Sequence, residues 1–133
     1  MKRIHLIILY LVLTLGFAPN QLFAGNIVWY NGKGHVTYSI QKKHASVVDK
    51  ALDMFAADMK AVTGKKAEKG GDGIINIYQL DRSSNKDMQQ LKELGVPFMN
   101  FITHDDAFWL GVRQKRIVIV GSNGRGTAYG ILE

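Results

Sequence analysis

The chain has 133 residues, no cysteine, and 17 Lys and Arg against 11 Asp and Glu, a formal net charge of +6. That length suits one domain, and the missing cysteines exclude both a disulfide framework and a cysteine-acylated lipoprotein. Any fold must rest on a hydrophobic core alone, which a domain of this size supplies with little margin.

Residues 1–24 read as an export signal and not as part of the fold. Lys2 and Arg3 precede an apolar run over residues 4–18, which Pro19, Asn20 and Gln21 end. The run is shorter than the ~20 residues of a membrane span, and small Ala24 suits a signal peptidase. The expected product, residues 25–133, is periplasmic or secreted and has no membrane segment once the signal is cleaved. Because Lys2 and Arg3 leave with it, 15 cations remain against 11 acids, a mild +4. They are scattered along the sequence, which argues against a nucleic-acid partner. Lys65, Lys66 and Lys69, the densest run, sit among glycines and read as a solvated loop.

Along the remainder, changes of hydrophobic period mark the elements. Residues 26–30 and 35–40 are β-prone runs separated by Asn31-Gly32-Lys33-Gly34, the pattern of a hairpin. From Ser46, an expected N-cap, Val48, Ala51, Leu52, Phe55, Ala56, Met59 and Val62 recur at helical spacing, and Gly64 is the expected terminator. Residues 73–80 read as a strand apolar on both faces, hence inside the sheet. After a polar loop, residues 86–94 form a short amphipathic helix closed by Gly95 and Pro97. Residues 107–112 and 116–120 are two strands so close that they must form an antiparallel hairpin. A glycine-rich turn, residues 121–126, then leads into a helix expected to open at Thr127. The order is ββαβαββα, which predicts an α+β domain: a single mixed β-sheet with helices packed on one face. No stop signal follows that last helix, so the chain is expected to be a piece of a longer polypeptide, truncated at its C-terminal helix.

Little in the sequence carries chemistry. Gly121-Ser122-Asn123-Gly124-Arg125-Gly126-Thr127 joins a strand to a helix, a setting in which backbone N–H groups can hold an anion. It lacks the Lys and the spacing of a Walker A loop, and no βαβ unit follows it as a dinucleotide fingerprint needs. Two readings stay open. In one, the glycines permit positive φ and Arg125 pairs with a local acid; in the other, Asn123 or Arg125 faces a ligand held mainly by a neighbouring domain. His104-Asp105-Asp106 reads as a polar loop, since adjacent carboxylates on extended chain point apart and cannot flank one glycosidic bond. His35 and His44 have no spacing that brings them to His104. Trp29 and Trp109 are candidates for stacking on a sugar, although aromatics in strands more often belong to a core. No cofactor, metal or catalytic residue is expected.

The tail carries a resemblance. Residues 117–133, Ile-Val-Ile-Val-Gly-Ser-Asn-Gly-Arg-Gly-Thr-Ala-Tyr-Gly-Ile-Leu-Glu, resemble the end of the N-terminal domain of glycoside hydrolase family 115, the xylan α-glucuronidases. In that family an apolar strand runs into a Gly-Ser-Asp-Lys-Arg-Gly-Thr type turn and a Tyr-Gly pair that opens a helix. Here Asn123 and Gly124 stand where the family tends to have Asp and Lys. The resemblance implies a β-hexosaminidase-like N-terminal domain, an accessory unit docked on a catalytic barrel of the same polypeptide. The catalytic residues would lie in the barrel and a polysaccharide or oligosaccharide would be the substrate. It makes Asn123, Arg125, Thr127 and Tyr129 candidates for contact with ligand or barrel. A free-standing exported carbohydrate-binding module is the alternative.

Overall fold

The computed structural model describes residues 27–133; the expected export signal, residues 1–24, lies outside them. At the centre is β3 (Ile75–Gln79), buried along its whole length. It pairs in parallel with β1 (Thr37–Ile40) on one side and β5 (Arg116–Gly121) on the other. The two-residue β2 (Glu68–Lys69) adds in parallel to β1, and β4 (Phe108–Arg113) closes the far edge antiparallel to β5. The spatial order is β2-β1-β3-β5-β4, a single mixed sheet of an α+β domain, as the sequence implies.

A parallel neighbour requires a crossover, and α1 (Ser46–Thr63) makes it from β1. Its stripe of Val48, Ala51 and Leu52 is buried, with Phe55, Ala56 and Met59 packed partly beside it. The helix ends as expected at Gly64, whose φ of 78° lets its N–H reach the Lys60 carbonyl. Two details depart from expectation. The N-cap is Ala45 and not Ser46: Ala45 is extended, its carbonyl accepts the Val48 N–H, and its own N–H donates to Gln79 Oε1 at 2.8 Å. Val62 is 78% exposed, so the buried stripe stops one turn early.

The second helix, α2 (Asn85–Glu93), opens on a capping box in which Ser84 and Asp87 each accept the other's backbone N–H. The third, α3 (Gly124–Leu132), follows β5 directly. Alternation along β3 and β5 divides their side chains between two cores. Ile75, Ile77 and Ile119 pack with α1 and α3, whereas Tyr78, Val118 and Val120 pack with Leu91 of α2. The expectation of helices on one face therefore holds for α1 and α3 but not for α2. Strands apolar on both faces need cover on both, and α2, together with Phe98, Phe101 and Ile102, supplies the second layer.

The expected first hairpin is not formed. Both sides of β1 are taken by parallel partners, β2 and β3, so residues 27–30 have no edge to pair with and form no strand. Gly32 and Gly34, at φ 81° and 71°, bend the chain, and Asn31 Oδ1 accepts the Lys33 N–H. The eight elements run βαββαββα, with the second strand after the long helix instead of before it. The β4–β5 hairpin is as expected, turning on Gln114 and Lys115, both at positive φ.

Candidate functional site

The turn between β5 and α3 is built around two side chains. Asn123 is the N-cap of α3, its Oδ1 accepting the Gly126 N–H at 2.9 Å. The helix thus opens at Gly124, earlier than the start at Thr127 that the sequence suggests. Thr127 is fully buried within the first turn, and its hydroxyl donates back to the Asn123 carbonyl at 2.8 Å. Asp106, at φ 55°, gathers two of the candidates, Asn123 and Arg125. Asn123 Nδ2 donates to its Oδ1 at 3.1 Å, and the Arg125 guanidinium pairs with its Oδ2. In the sequence Asp106 reads only as part of a polar loop; an Asp just before a strand, able to adopt a left-handed backbone, is the signal that marks it.

The glycines of this turn serve close approach, not positive φ. A Cβ on Gly121 would lie 2.1 Å from the Thr127 nitrogen, and one on Gly126 would lie 2.3 Å from the Ala107 carbonyl oxygen. Gly130 meets Ile119 and Phe108 in the same way. With these side chains absent, α3 settles directly on the sheet. Tyr129 and Leu132 remain exposed on its outer side, and Phe108 and Leu110 of the edge strand are exposed too.

The two tryptophans belong to no common platform. Trp109 packs on the α2 face, with the Arg113 guanidinium 4.8 Å from its ring centroid. Trp29 is 40% exposed and joins neither core. Of the histidines, His35 lies beside Glu68 and His44 beside Asp49, each at an exposed carboxylate far from the turn in sequence. Among the described residues no group of three or more His, Asp or Glu has the arrangement of a metal site.

A feature that the sequence did not reveal lies on the α2 face. There α2 covers β3 and β5 but leaves β1 open, and a cleft of about 690 Å³ runs between them. Ser39, Asn76 and Tyr78 line it beside Lys42, Lys43, Arg82, Lys86 and Arg116. Burial holds the Tyr78 phenol above its ordinary range, reinforced by the Asp87 carboxylate and offset in part by Arg116. The phenol is therefore a neutral hydrogen-bonding group at neutral pH.

At one end of the cleft two buried glutamines lock the flanking loops. Gln41 Oε1 accepts the Gln79 N–H at 2.9 Å, while Gln41 Nε2 donates to the Gln79 and Lys43 carbonyls at 2.9 and 2.7 Å. Gln79 Nε2 donates to Asp81 at 2.7 Å, and Ser83 Oγ bonds to both Gln41 Oε1 and the Gln79 carbonyl. Every polar atom of this buried pair is engaged, so the loops carrying Lys42, Lys43 and Arg82 are tied to the sheet.

A scan against protein-family models gives no match to this chain, and no curated protein matches it.

Proposed function

We propose that residues 25–133 are the N-terminal accessory domain of an exported glycoside hydrolase, an α-glucuronidase acting on glucuronoxylan being the favoured activity. The domain would pack against a catalytic barrel of the same polypeptide and contribute no catalytic residue. One observation carries the reading: the seventeen-residue run from Ile117 to Glu133, with its Gly-Ser-Asn-Gly-Arg-Gly-Thr turn and Tyr-Gly pair. Two features support it. The same run folds as a unit, β5 passing into a helix whose glycines fit it to the sheet. On that helix and on the edge strand beside β5, Tyr129, Leu132, Phe108 and Leu110 are exposed apolar residues that a neighbouring domain could cover. The free-standing module that stacks sugars on Trp29 and Trp109 is the weaker reading, because Arg113 sits over the Trp109 ring.

The test is made on the encoded gene. Its reading frame should continue past Glu133 into a barrel, and the whole protein should release glucuronate from glucuronoxylan. Residues 25–133 alone should hydrolyse neither aryl glycosides nor aldouronic acids. Turnover by that piece itself would defeat the proposal.

A further inference from the structure

The cleft on the α2 face is lined by five cations against two carboxylates. Of its five cations, Arg116 is paired with Asp72 at 3.0 Å, but among the described residues Lys42, Lys43, Arg82 and Lys86 have no carboxylate within 4.0 Å. Both of its acids are already engaged. Asp72 holds Arg116, and Asp87 accepts the Ser84 N–H and hydroxyl at 2.7 and 2.6 Å. Elsewhere the described residues have ten Lys and Arg against nine Asp and Glu, so most of the positive excess is gathered in this one concavity. Linear sequence hid it, because residues 42–43, 82–86 and 116 come together only in the fold.

We infer that this cleft binds an acidic oligosaccharide, its carboxylate or sulfate groups on Lys42, Lys43, Arg82 and Lys86 and its sugar rings along Ser39, Asn76 and Tyr78. The carbohydrate part of the inference rests on the hydrolase reading; the anionic part rests on the charge of the cleft. The volume falls within the roughly 300–1,000 Å³ of small-ligand sites. Neutral hydrogen-bonding groups share the lining with the cations: Asn76 donates to the Gly73 carbonyl, its Oδ1 has no partner among the described residues, and Gln90 and Tyr78 line the same cleft. The Gln41–Gln79 lock holds two of the cation-bearing loops before ligand arrives, which lowers the ordering cost of binding. Outside the cleft the described residues carry ten Lys and Arg against nine Asp and Glu, little net charge for a longer polyanion such as a nucleic acid to follow.

The test titrates the full chain, by calorimetry and amide NMR, with neutral xylo-oligosaccharide, the same sugar bearing one glucuronate, trigalacturonate, a sulfated disaccharide, inorganic sulfate and single-stranded oligonucleotide. Affinity is expected to rise from the neutral sugar through the monouronate to the multiply charged sugars, with shifts at Asn76, Gln90 and Lys86. Carboxylated and sulfated probes separate the two sources of negative charge. The exposed pair Arg82→Gln with Lys86→Gln should weaken acidic-sugar binding by about a hundredfold, tenfold per charge-assisted contact, at an unchanged melting temperature. Lys42→Gln with Lys43→Gln, on a separate loop, should do the same. Equal affinity for neutral sugar, sulfate alone binding as tightly as any sugar, tighter binding of oligonucleotide, or indifference to both double variants would each overturn the inference. An active parent hydrolase whose cleft ignores every probe defeats the cleft alone; a cleft that binds in a protein lacking hydrolase activity leaves the inference standing without the parent reading.

Discussion

The two faces of the sheet are closed in opposite ways. On the side of Ile75, Ile77 and Ile119, α1 and α3 lie on the strands, and Gly121, Gly126 and Gly130 remove the side chains that would hold α3 away. On the other side, nine-residue α2 and the apolar residues Phe98, Phe101 and Ile102 cover β3 and β5 but stop short of β1. Backbone in direct contact leaves no room for added volume, whereas partial cover leaves a cleft whose shape is set by hydrogen-bonded loops. The incomplete cover of the second face leaves room there for polar and charged groups.

The strongest way to break this contrast is Gly126→Ala. The new methyl would meet the Ala107 carbonyl oxygen, part of the backbone, so relief requires moving α3 or β4. A loss of about 3 kcal/mol is expected, lowering Tm by roughly 12 °C or more in a domain of this size. A loss below about 1 kcal/mol, read from urea unfolding, would show that the glycine contacts do not decide how this face closes. At the end of β3, where Gln79 follows Ile75 and Ile77 on the α1 side, Gln79→Leu strands the Ala45 N–H and takes a hydrogen bond from the exposed Asp81, at a cost of about 2 kcal/mol. Its signature should be local: amide exchange should accelerate in residues 41–45 and 80–84 more than in α3. Uniform acceleration would mean that the glutamine pair supports the whole domain and not the cleft loops.

What the sequence made legible divides along the same line. The stripe of α1, the Gly64 stop, buried β3 and the β4–β5 hairpin all follow from local pattern, because each signal lies within a single element or between adjacent ones. The false first hairpin shows the limit. Residues 27–30 have β-type composition, but whether they pair depends on which strands flank β1, and that is decided by distant residues, Glu68–Lys69 and Ile75–Gln79. Similarly, the glycines from 121 to 130 announce a special turn without saying whether positive φ or close approach requires them; only the position of Ala107 and Ile119 settles it. The cleft was invisible for the same reason, since its cations are scattered in sequence and converge through the parallel pairing of β1, β3 and β5.

At the edge of the close-packed face, Asp106→Ala should have a smaller effect. It frees Arg125 and one amide hydrogen of Asn123, but the Arg125 side chain is 67% exposed and the ion pair is worth little in water. With the left-handed backbone at this position, alanine is the poorer fit, and a total loss of about 1 kcal/mol is expected. Asp106→Asn keeps the backbone preference and an oxygen acceptor, so it should lose about half as much. Equal losses for the two variants would assign the effect to charge alone.

The subtlest difference between the faces is in alkaline solution. Tyr38 lies on the α1 side and Tyr78 on the α2 side, and both phenols are raised above the ordinary value of about 10. Burial is the first cause for each; Asp53 and Asp49 add to it at Tyr38, and Asp87 adds to it at Tyr78 against an opposing Arg116. Because the folded values are raised, the unfolded chain releases these protons first. The tyrosine contribution to stability is therefore intact below about pH 10 and declines as pH climbs through the folded values. Tyr78 is only 8% exposed, so Tyr78→Phe should flatten this decline more than Tyr38→Phe does, with little separation of the pH profiles below about pH 9. Urea midpoints measured from about pH 8 to 11 read the slopes directly. A Tyr78→Phe variant that declines as steeply as the parent would mean that water and counterions already reach this phenol through the open cleft, and that partial cover costs the α2 face its dry interior.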